Sequence, residues 1–212
     1  MTRTLRFALE KTFFVWLAIV AIYSGYFAIE ARHQPLSDSE TRVYDIARQY
    51  AEQAFPPPIG LVRETPDWGH VGYYALLGRV YNVAKGSEVW LKALHLCLFL
   101  GALFLFTRLG AIATYRNRLS PVWVSISTLF LALNPYAWAV SFHLTYIGLL
   151  LVCLFAAMLF FERAELGLAA AFLSLGILVD WYPLLLAASF ALTRIMAESS
   201  RLVRPERVIA LI

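Results

Sequence analysis

The side chains that could do chemistry are concentrated in residues 36–77, a polar stretch within an otherwise apolar chain. Two acids, Asp38 and Glu40, open the stretch, and His70 lies near its end. Acids at such a position also suit a helix N-terminus, where they cap free amides and interact favourably with the helix dipole. Arginine binds phosphate groups bidentately, so the arginines of this region can receive a phosphate or can pair with nearby acids. They are Arg42, Arg48, Arg63 and Arg79.

Two further polar positions lie within apolar runs. Lys92 and His95 are three residues apart on one face of a predicted helix, where they could contact a lipid phosphate. The plain alternative for Lys92 is that its ammonium group snorkels to the membrane surface. Asp180 stands between two apolar arms, where a carboxylate is costly and suggests a function unless the turn reaches water.

His70 follows Asp67 and Trp68 and has two readings of its own. Its imidazole could bind a substrate or share a proton with an acid, and it could equally form a hydrogen bond with a backbone carbonyl.

Composition places the chain in the membrane class. Of 212 residues 60% are hydrophobic and 15% charged, and the mean hydropathy is +0.66, a balance that soluble domains do not show. A span needs roughly 20 apolar residues, so the length allows about six transmembrane helices. The 18 basic residues cluster beside apolar runs, as the positive-inside rule expects, and we expect no nucleic-acid partner. Cys97 and Cys153 lie inside apolar runs, which predicts buried thiols rather than a disulfide or a metal pair.

The distribution of arginine and lysine predicts the topology. Basic residues precede the apolar run 12–29, so we expect an uncleaved first span that starts on the cytoplasmic side. Residues 31–88 then form the first extracytoplasmic loop. The later spans are predicted at 89–106, at 122–133 with a break at Asn134-Pro135, at 139–161, and as a hairpin within 166–191 that turns at Asp180.

Two surface helices are predicted in the first loop. Ser37 or Asp38 can cap an amphipathic helix whose apolar residues recur at helical spacing. The apolar residues are Val43, Ile46, Ala47, Tyr50, Ala51 and Ala54. Prolines 56–58 end this helix, and residues 71–83 are predicted to form a shallow or re-entrant helix.

The fold class is therefore an all-α integral membrane protein with amphipathic helices beside the membrane. We interpret residues 1–212 as a single transmembrane domain. The apolar run 208–212 allows the alternative that the chain is one part of a longer protein.

The order of these parts resembles the GT-C superfamily of membrane glycosyltransferases, most of all its protein O-mannosyltransferase and aminoarabinose transferase branches. The resemblance rests on Asp38-Ser39-Glu40 followed by Tyr44 and Ala47, and on the segment HVGYYALL at 70–77. It continues through Gly86-Ser87-Glu88, Leu91-Lys92, Asn134-Pro135 and Tyr146. The pattern departs from the family at three places. An ungapped match puts Ser39 at the acid's position, and residues 134–146 contain no second acid. Asp180-Trp181 stands where aminoarabinose transferases have a lysine for the phosphate.

The resemblance implies transfer of a sugar from a polyprenyl-phosphate carrier to an acceptor on the extracytoplasmic face. Such chemistry needs a carboxylate near the acceptor, as a base or as a ligand for a divalent metal, and cations for the leaving phosphate. By this resemblance Asp38 is the catalytic carboxylate, with Glu40 as the alternative. The implied substrate-binding residues are His70, Tyr73, Lys92, Arg42 and Asp180.

The implied location is the inner membrane of a bacterium, with a cytoplasmic N-terminus, or a membrane with this loop in the lumen if the source is eukaryotic. The implied partners are the lipid-linked sugar donor and membrane lipids. A second hypothesis is a non-catalytic subunit that keeps the GT-C-like fold as a scaffold beside protein partners. No metal ligand is assigned, and no cofactor follows from the residues.

Overall fold

The computed structural model describes residues 3–53, 70–116, 120 and 122–202, with side chains over 12–53, 70–115, 120 and 122–193. Over these residues the chain is helical, without strands, which confirms the all-α class. The elements are α1 (Arg3–Ile29), a 3-10 turn (Ala31–His33), α2 (Asp38–Ala51), α3 (Val71–Val83), α4 (Glu88–Arg116), α5 (Val122–Ala132), α6 (Pro135–Phe142), α7 (Ile147–Glu162), α8 (Leu166–Val179) and α9 (Tyr182–Leu202). The predicted proline break at 56–58, Arg63, Asp67, Trp68 and the apolar run 208–212 lie outside the described residues.

Two of the described helices are long and apolar enough to cross a membrane, over Thr12–His33 and Glu88–Tyr115. The pair α5 and α6 is bent by 64° and makes a third candidate if it is counted as one span. Helices α7 and α8 are apolar but only 16 and 14 residues long. Large apolar side chains face outward, among them Phe14 and Phe130 with 70% and 77% of their surface exposed, as a lipid-facing surface requires.

Aromatic packing joins α1 to the centre of the bundle. Tyr23 on α1 is buried, and its ring packs within 5.6 Å of the Phe99, Trp138 and Phe142 rings. Its hydroxyl donates to the carbonyl oxygen of Ala132, in the last turn of α5. Carbonyl groups in the last turn of a helix lack an intrahelical partner. The Tyr23 hydroxyl therefore supplies a donor to a carbonyl group that the end of α5 leaves without one.

The break at Asn134-Pro135 is confirmed, but the prediction of a fourth helix over 139–161 is wrong. Asn134 Oδ1 accepts a hydrogen bond from the Tyr136 amide and caps the short helix α6. The chain then turns extended at His143, and α7 begins only at Ile147. Helix α4 is longer than the predicted 89–106, because nothing in its apolar sequence stops it before Arg116.

Helices α2 and α3 pack against each other as a pair. The predicted amphipathic face of α2 buries Ile46, Ala47 and Tyr50, which join a core cluster with Tyr74 of α3. Gly78 allows the close approach, because a Cβ atom built there would lie 2.9 Å from Tyr50 Cβ. The turn that follows uses Gly86 at a φ of +73°, a conformation that glycine adopts without steric cost.

Helix α3 also contacts α8 directly. A Cβ atom at Gly72 would lie 2.6 Å from the carbonyl oxygen of Leu178, so the two backbones touch there. Beyond Leu178 the chain turns at Asp180, and Phe190 on α9 stacks on Phe161 with ring centroids 3.9 Å apart. Helix α9 therefore returns towards the end of the bundle where α7 ends, which confirms the predicted hairpin.

The expectation for the cysteines is half right. Both thiols are free, and Cys153 is buried, but Cys97 is exposed. Cys97 is on the outward face of α4, beside an apolar groove that α3 also lines. An apolar run alone does not distinguish a lipid-facing position from a core position, because both are apolar.

We predict that Gly72→Ala destabilises the protein by about 1–3 kcal/mol, because the added methyl group has to displace the Leu178 backbone. The matched control is Gly167→Ala, at the same position in its helix, where a Cβ atom meets nothing within 4 Å. Alanine at residue 167 is expected to be neutral or to stabilise by about 0.5–1 kcal/mol. Unfolding of the detergent-solubilised proteins measures both changes, and equal stability of the two variants would contradict the close α3–α8 contact.

Candidate functional site

The buried ionisable side chains lie together at one end of the bundle. Among the acidic, basic and histidine side chains that the structure describes, the buried ones are Glu40, Lys92, His95 and Asp180, each with 4% or less of its surface exposed. They lie where α2, α3 and the first turns of α4 meet the α6–α7 connection and the α8–α9 turn, a region we call the polar end (residues 34–52, 70–95, 141–150 and 178–183). Burying charge in an apolar bundle is costly, so its concentration at one end requires a structural or a chemical reason.

Glu40 is the most fully bonded of these groups. It forms a capping box with Ser37, whose amide and hydroxyl donate to Glu40 Oε2 at 2.9 and 2.7 Å. The other oxygen, Oε1, accepts from the Leu144 amide at 3.2 Å and lies 3.1 Å from His143 Nδ1. One carboxylate thus fixes the start of α2 and the extended connection between α6 and α7.

The environment of Glu40 favours its charged form. Burial raises the pKa of Glu40, but the hydrogen bonds from Ser37, His143 and Leu144 outweigh burial and hold the pKa below its ordinary value. Glu40 is therefore ionised at neutral pH, with both oxygens occupied.

A second group joins α3 to α4. His95 Nδ1 lies 2.7 Å from the Leu91 carbonyl oxygen, so Nδ1 carries the proton and Nε2 is the acceptor. Tyr73 then donates its hydroxyl proton to Nε2, at 2.8 Å. Burial, and after it the charges that Tyr74 and Glu40 can carry, raise the pKa of Tyr73 well above its usual value and keep the phenol protonated.

The third group lies at the α8–α9 turn. His70 Nδ1 is 2.7 Å from the Val179 carbonyl oxygen and 3.9 Å from Asp180 Oδ2. The His70 ring stacks on Tyr146, with ring centroids 3.7 Å apart. Asp180 Oδ1 accepts a hydrogen bond from the Trp181 amide at 2.6 Å, and the tyrosine hydroxyl of residue 146 also interacts with the Asp180 carboxylate.

Lys92 is a buried cation with little compensation. Its ammonium group donates to the Gln34 carbonyl oxygen at 2.6 Å, which leaves two of its three donors. Within the described residues no carboxylate lies within 4 Å of Lys92 Nζ. The snorkelling alternative does not describe this side chain, since only 4% of the residue is exposed.

The structure separates the two acids of the first loop. Asp38 and Glu40 are two residues apart in a helix, so their side chains point to different sides, and Asp38 is exposed while Glu40 is buried. Arg42 is exposed as well, and Arg48 pairs with Asp45 on the surface at 3.7 Å. Of the predicted site residues, the structure brings Glu40, His70, Tyr73, Lys92 and Asp180 to the polar end and leaves Asp38 and Arg42 on the exposed side of α2.

Sequence reasoning missed His143 as a member of this region. His143 looked like an ordinary residue inside a predicted helix, and only the break between α6 and α7 brings it to Glu40. Tyr146 was noted in the family resemblance, but its stacking on His70 depends on the tertiary fold.

The described residues contain no group of three histidine, cysteine, aspartate or glutamate side chains that could ligate a metal ion, so we derive no step through a metal. A cavity of about 400 Å³ lies away from the polar end, between α4, α7 and α9, and is lined by aromatic side chains and Glu162.

Comparisons with known proteins add no identity. The chain matches no family model, no curated protein and no solved structure.

We predict that Glu40→Gln removes an acid-dependent part of the protein's stability. A carboxyl group with a lowered pKa in the folded state stabilises the fold above its unfolded pKa, and this contribution is lost as the pH falls below about 4.5. The substitution should cost about 1–3 kcal/mol at neutral pH, because an amide cannot accept all the hydrogen bonds that the carboxylate accepts.

Thermal unfolding of solubilised protein between pH 3 and pH 7 measures this effect, with Glu52→Gln at an exposed position as the matched control. If the glutamine variant of residue 40 keeps the acid sensitivity of the wild type, the assigned role of the Glu40 carboxylate is wrong.

Proposed function

We propose that the protein is a membrane glycosyltransferase that moves a sugar from a polyprenyl-phosphate carrier to an acceptor on the extracytoplasmic face. The supporting observation is the polar end itself, which combines a buried ammonium group, two buried carboxylates and oriented histidines in an apolar bundle. Purely structural helix packing does not need ionisable groups at this density, since apolar packing is cheaper.

The main support for a transferase is the buried ammonium group of Lys92. When the bond between the sugar and the phosphate breaks, negative charge develops on the leaving phosphate, and a cation in a low-dielectric site stabilises it strongly. The Lys92 ammonium group has two donors left within the described residues, and its charge has no carboxylate beside it there. A phosphate would complete both its hydrogen bonding and its charge.

The proposal includes a GT-C-like arrangement of about six spans, with the N-terminus in the cytoplasm of a bacterium and the polar end facing outward. At 1.5 Å per residue, α8 with its 14 residues extends only about 21 Å, less than the roughly 30 Å of a bilayer core. Spans this short suit a locally thinned membrane around the site. Basic residues beside α1, α4 and α9 support the orientation.

A scaffold subunit is the second candidate, and one observation favours it. Both Glu40 oxygens are engaged by groups of the chain itself, which suits a structural carboxylate better than a base. The scaffold hypothesis offers no comparable reason for burying Lys92, and we therefore prefer the enzyme.

We predict that Lys92→Met lowers sugar transfer by about a hundredfold or more, because the leaving phosphate loses its cation. Methionine keeps an unbranched side chain of similar length in the buried position. The assay supplies polyprenyl phosphates that carry a radiolabelled hexose or pentose to membrane vesicles containing the protein and measures loss of sugar from the carrier.

Lys85→Met, at an exposed position in the turn before α4, is the matched control and should keep the wild-type rate. Wild-type rates in the methionine variant of residue 92, with the protein folded, would remove the main support for the enzyme and favour the scaffold.

A further inference from the structure

We propose that His70 is the catalytic base that accepts the proton of the acceptor hydroxyl, and that Asp180 acts through His70 by stabilising its protonated form. The inference rests on the proposed function and names the group that removes this proton. The inference thus assigns the role of base to a residue other than Asp38 and Glu40, which the family resemblance implies as catalytic carboxylates.

The proton positions on His70 follow from its hydrogen bond. A carbonyl oxygen can only accept, so Nδ1, at 2.7 Å from the Val179 oxygen, carries the proton. The neutral ring then has its lone pair on Nε2. Within the described residues Nε2 has no hydrogen-bond partner, and 17% of the His70 side chain is exposed. No described residue uses this acceptor nitrogen, and we assign it to the hydroxyl of the sugar acceptor.

The ring is also held in one orientation. Tyr146 stacks on it at a centroid distance of 3.7 Å and an interplanar angle of 19°. Helix α3 begins directly after His70, and the contact between Gly72 and Leu178 fixes that helix against α8. A base held in place by packing and hydrogen bonding avoids the entropy cost of finding its reactive geometry.

Asp180 supplies the charge that a protonated His70 needs. It is 3% exposed, its Oδ1 is bonded to the Trp181 amide, and its Oδ2 lies 3.9 Å from His70 Nδ1. When Nε2 takes up a proton, the imidazolium forms beside this carboxylate and is stabilised by it. In a hydrolase triad the carboxylate itself accepts the Nδ1 hydrogen bond. Here the Val179 carbonyl oxygen accepts that bond and orients the ring, and Asp180, at 3.9 Å, acts on the protonated ring through its charge.

The other candidates fit the role less well. Glu40 has both oxygens occupied, and His95 has its Nε2 lone pair bonded to the Tyr73 hydroxyl. Asp38 is exposed on the far side of α2 from Glu40, where water screens its charge.

His143 also has a buried carboxylate beside one ring nitrogen, since its Nδ1 lies 3.1 Å from Glu40 Oε1. Its side chain is 52% exposed, however, and its carboxylate partner caps α2. The side chain of His70 is more enclosed, at 17% exposed, and we therefore assign the role to His70.

The chemical step balances without a further reactant. The acceptor oxygen forms a bond to the sugar C1 while its proton moves to His70 Nε2. The bond between C1 and the phosphate oxygen breaks, and its electron pair leaves with polyprenyl phosphate, next to Lys92. His70 then returns the proton to water.

The test compares variants in proteoliposomes with the radiolabelled polyprenyl-phosphate donors. Asparagine at residue 70 keeps a donor for the Val179 carbonyl but has no nitrogen that can take up a proton. His70→Asn should therefore lower kcat about a hundredfold or more and leave KM for the donor unchanged. Asp180→Asn should lower kcat with the same unchanged KM. Added imidazole should restore part of the activity of His70→Ala.

The matched controls are His33→Asn and Asp45→Asn, both at surface positions, and these should keep the wild-type rate. The expected tautomer is checked without activity by nitrogen-15 NMR of histidine-labelled protein in bilayers, which should find the His70 proton on Nδ1.

Three outcomes would overturn the inference. A proton on Nε2, or wild-type rates in His70→Asn, overturns it while the transferase stands. A large loss in Asp38→Asn with His70→Asn unaffected returns the role to Asp38. If the wild type transfers no sugar from any donor while the tautomer is as expected, the proposed function fails and the catalytic role of His70 fails with it.

Discussion

A buried carboxylate can persist in an apolar bundle only if its oxygens are bonded, and Glu40 meets this condition with groups from two distant parts of the chain. Ser37 binds one oxygen, while the Leu144 amide and His143 approach the other. The start of α2 and the extended connection after α6 are therefore held together. Because α2 packs on α3, the same carboxylate also helps to place α3, and with it His70, against the bundle.

The polar groups at this end differ in how completely the protein satisfies them. Glu40 and His95 have their acceptors occupied, so their contribution is to hold helices in place. Lys92 and His70 each keep bonding capacity that the described residues do not use. Such remaining donors and acceptors are positions at which a ligand can bind. This difference is why we propose Lys92 for phosphate binding and His70 for proton transfer.

Local rules explain which parts of the fold could be predicted. The capping box at Ser37 and Glu40, the apolar face of α2, the bounds of α3 and the hairpin turn at Asp180 follow from capping, periodicity and charge within short segments. The prediction of one continuous helix over 139–161 is wrong at a point where distant parts of the chain make contact. The chain is extended at His143, and the Leu144 amide, which a continuous helix would bond internally, donates instead to Glu40, 104 residues away.

The amino-acid sequence by itself determined the all-α class and the long apolar segments that are candidates for crossing a membrane, and it marked Glu40, His70, Tyr73, Lys92 and Asp180 as unusual. Composition and periodicity suffice for these predictions, because they decide which segments form helices and which are apolar enough to be buried or to face lipid. Only the tertiary structure decided that Glu40 is buried and Asp38 exposed, and that Lys92 lacks a neighbouring carboxylate within the described residues. It also decided that His70 stacks on Tyr146 and lies beside Asp180. Those relations depend on contacts between segments far apart in the chain, and short-range patterns contain no information about them.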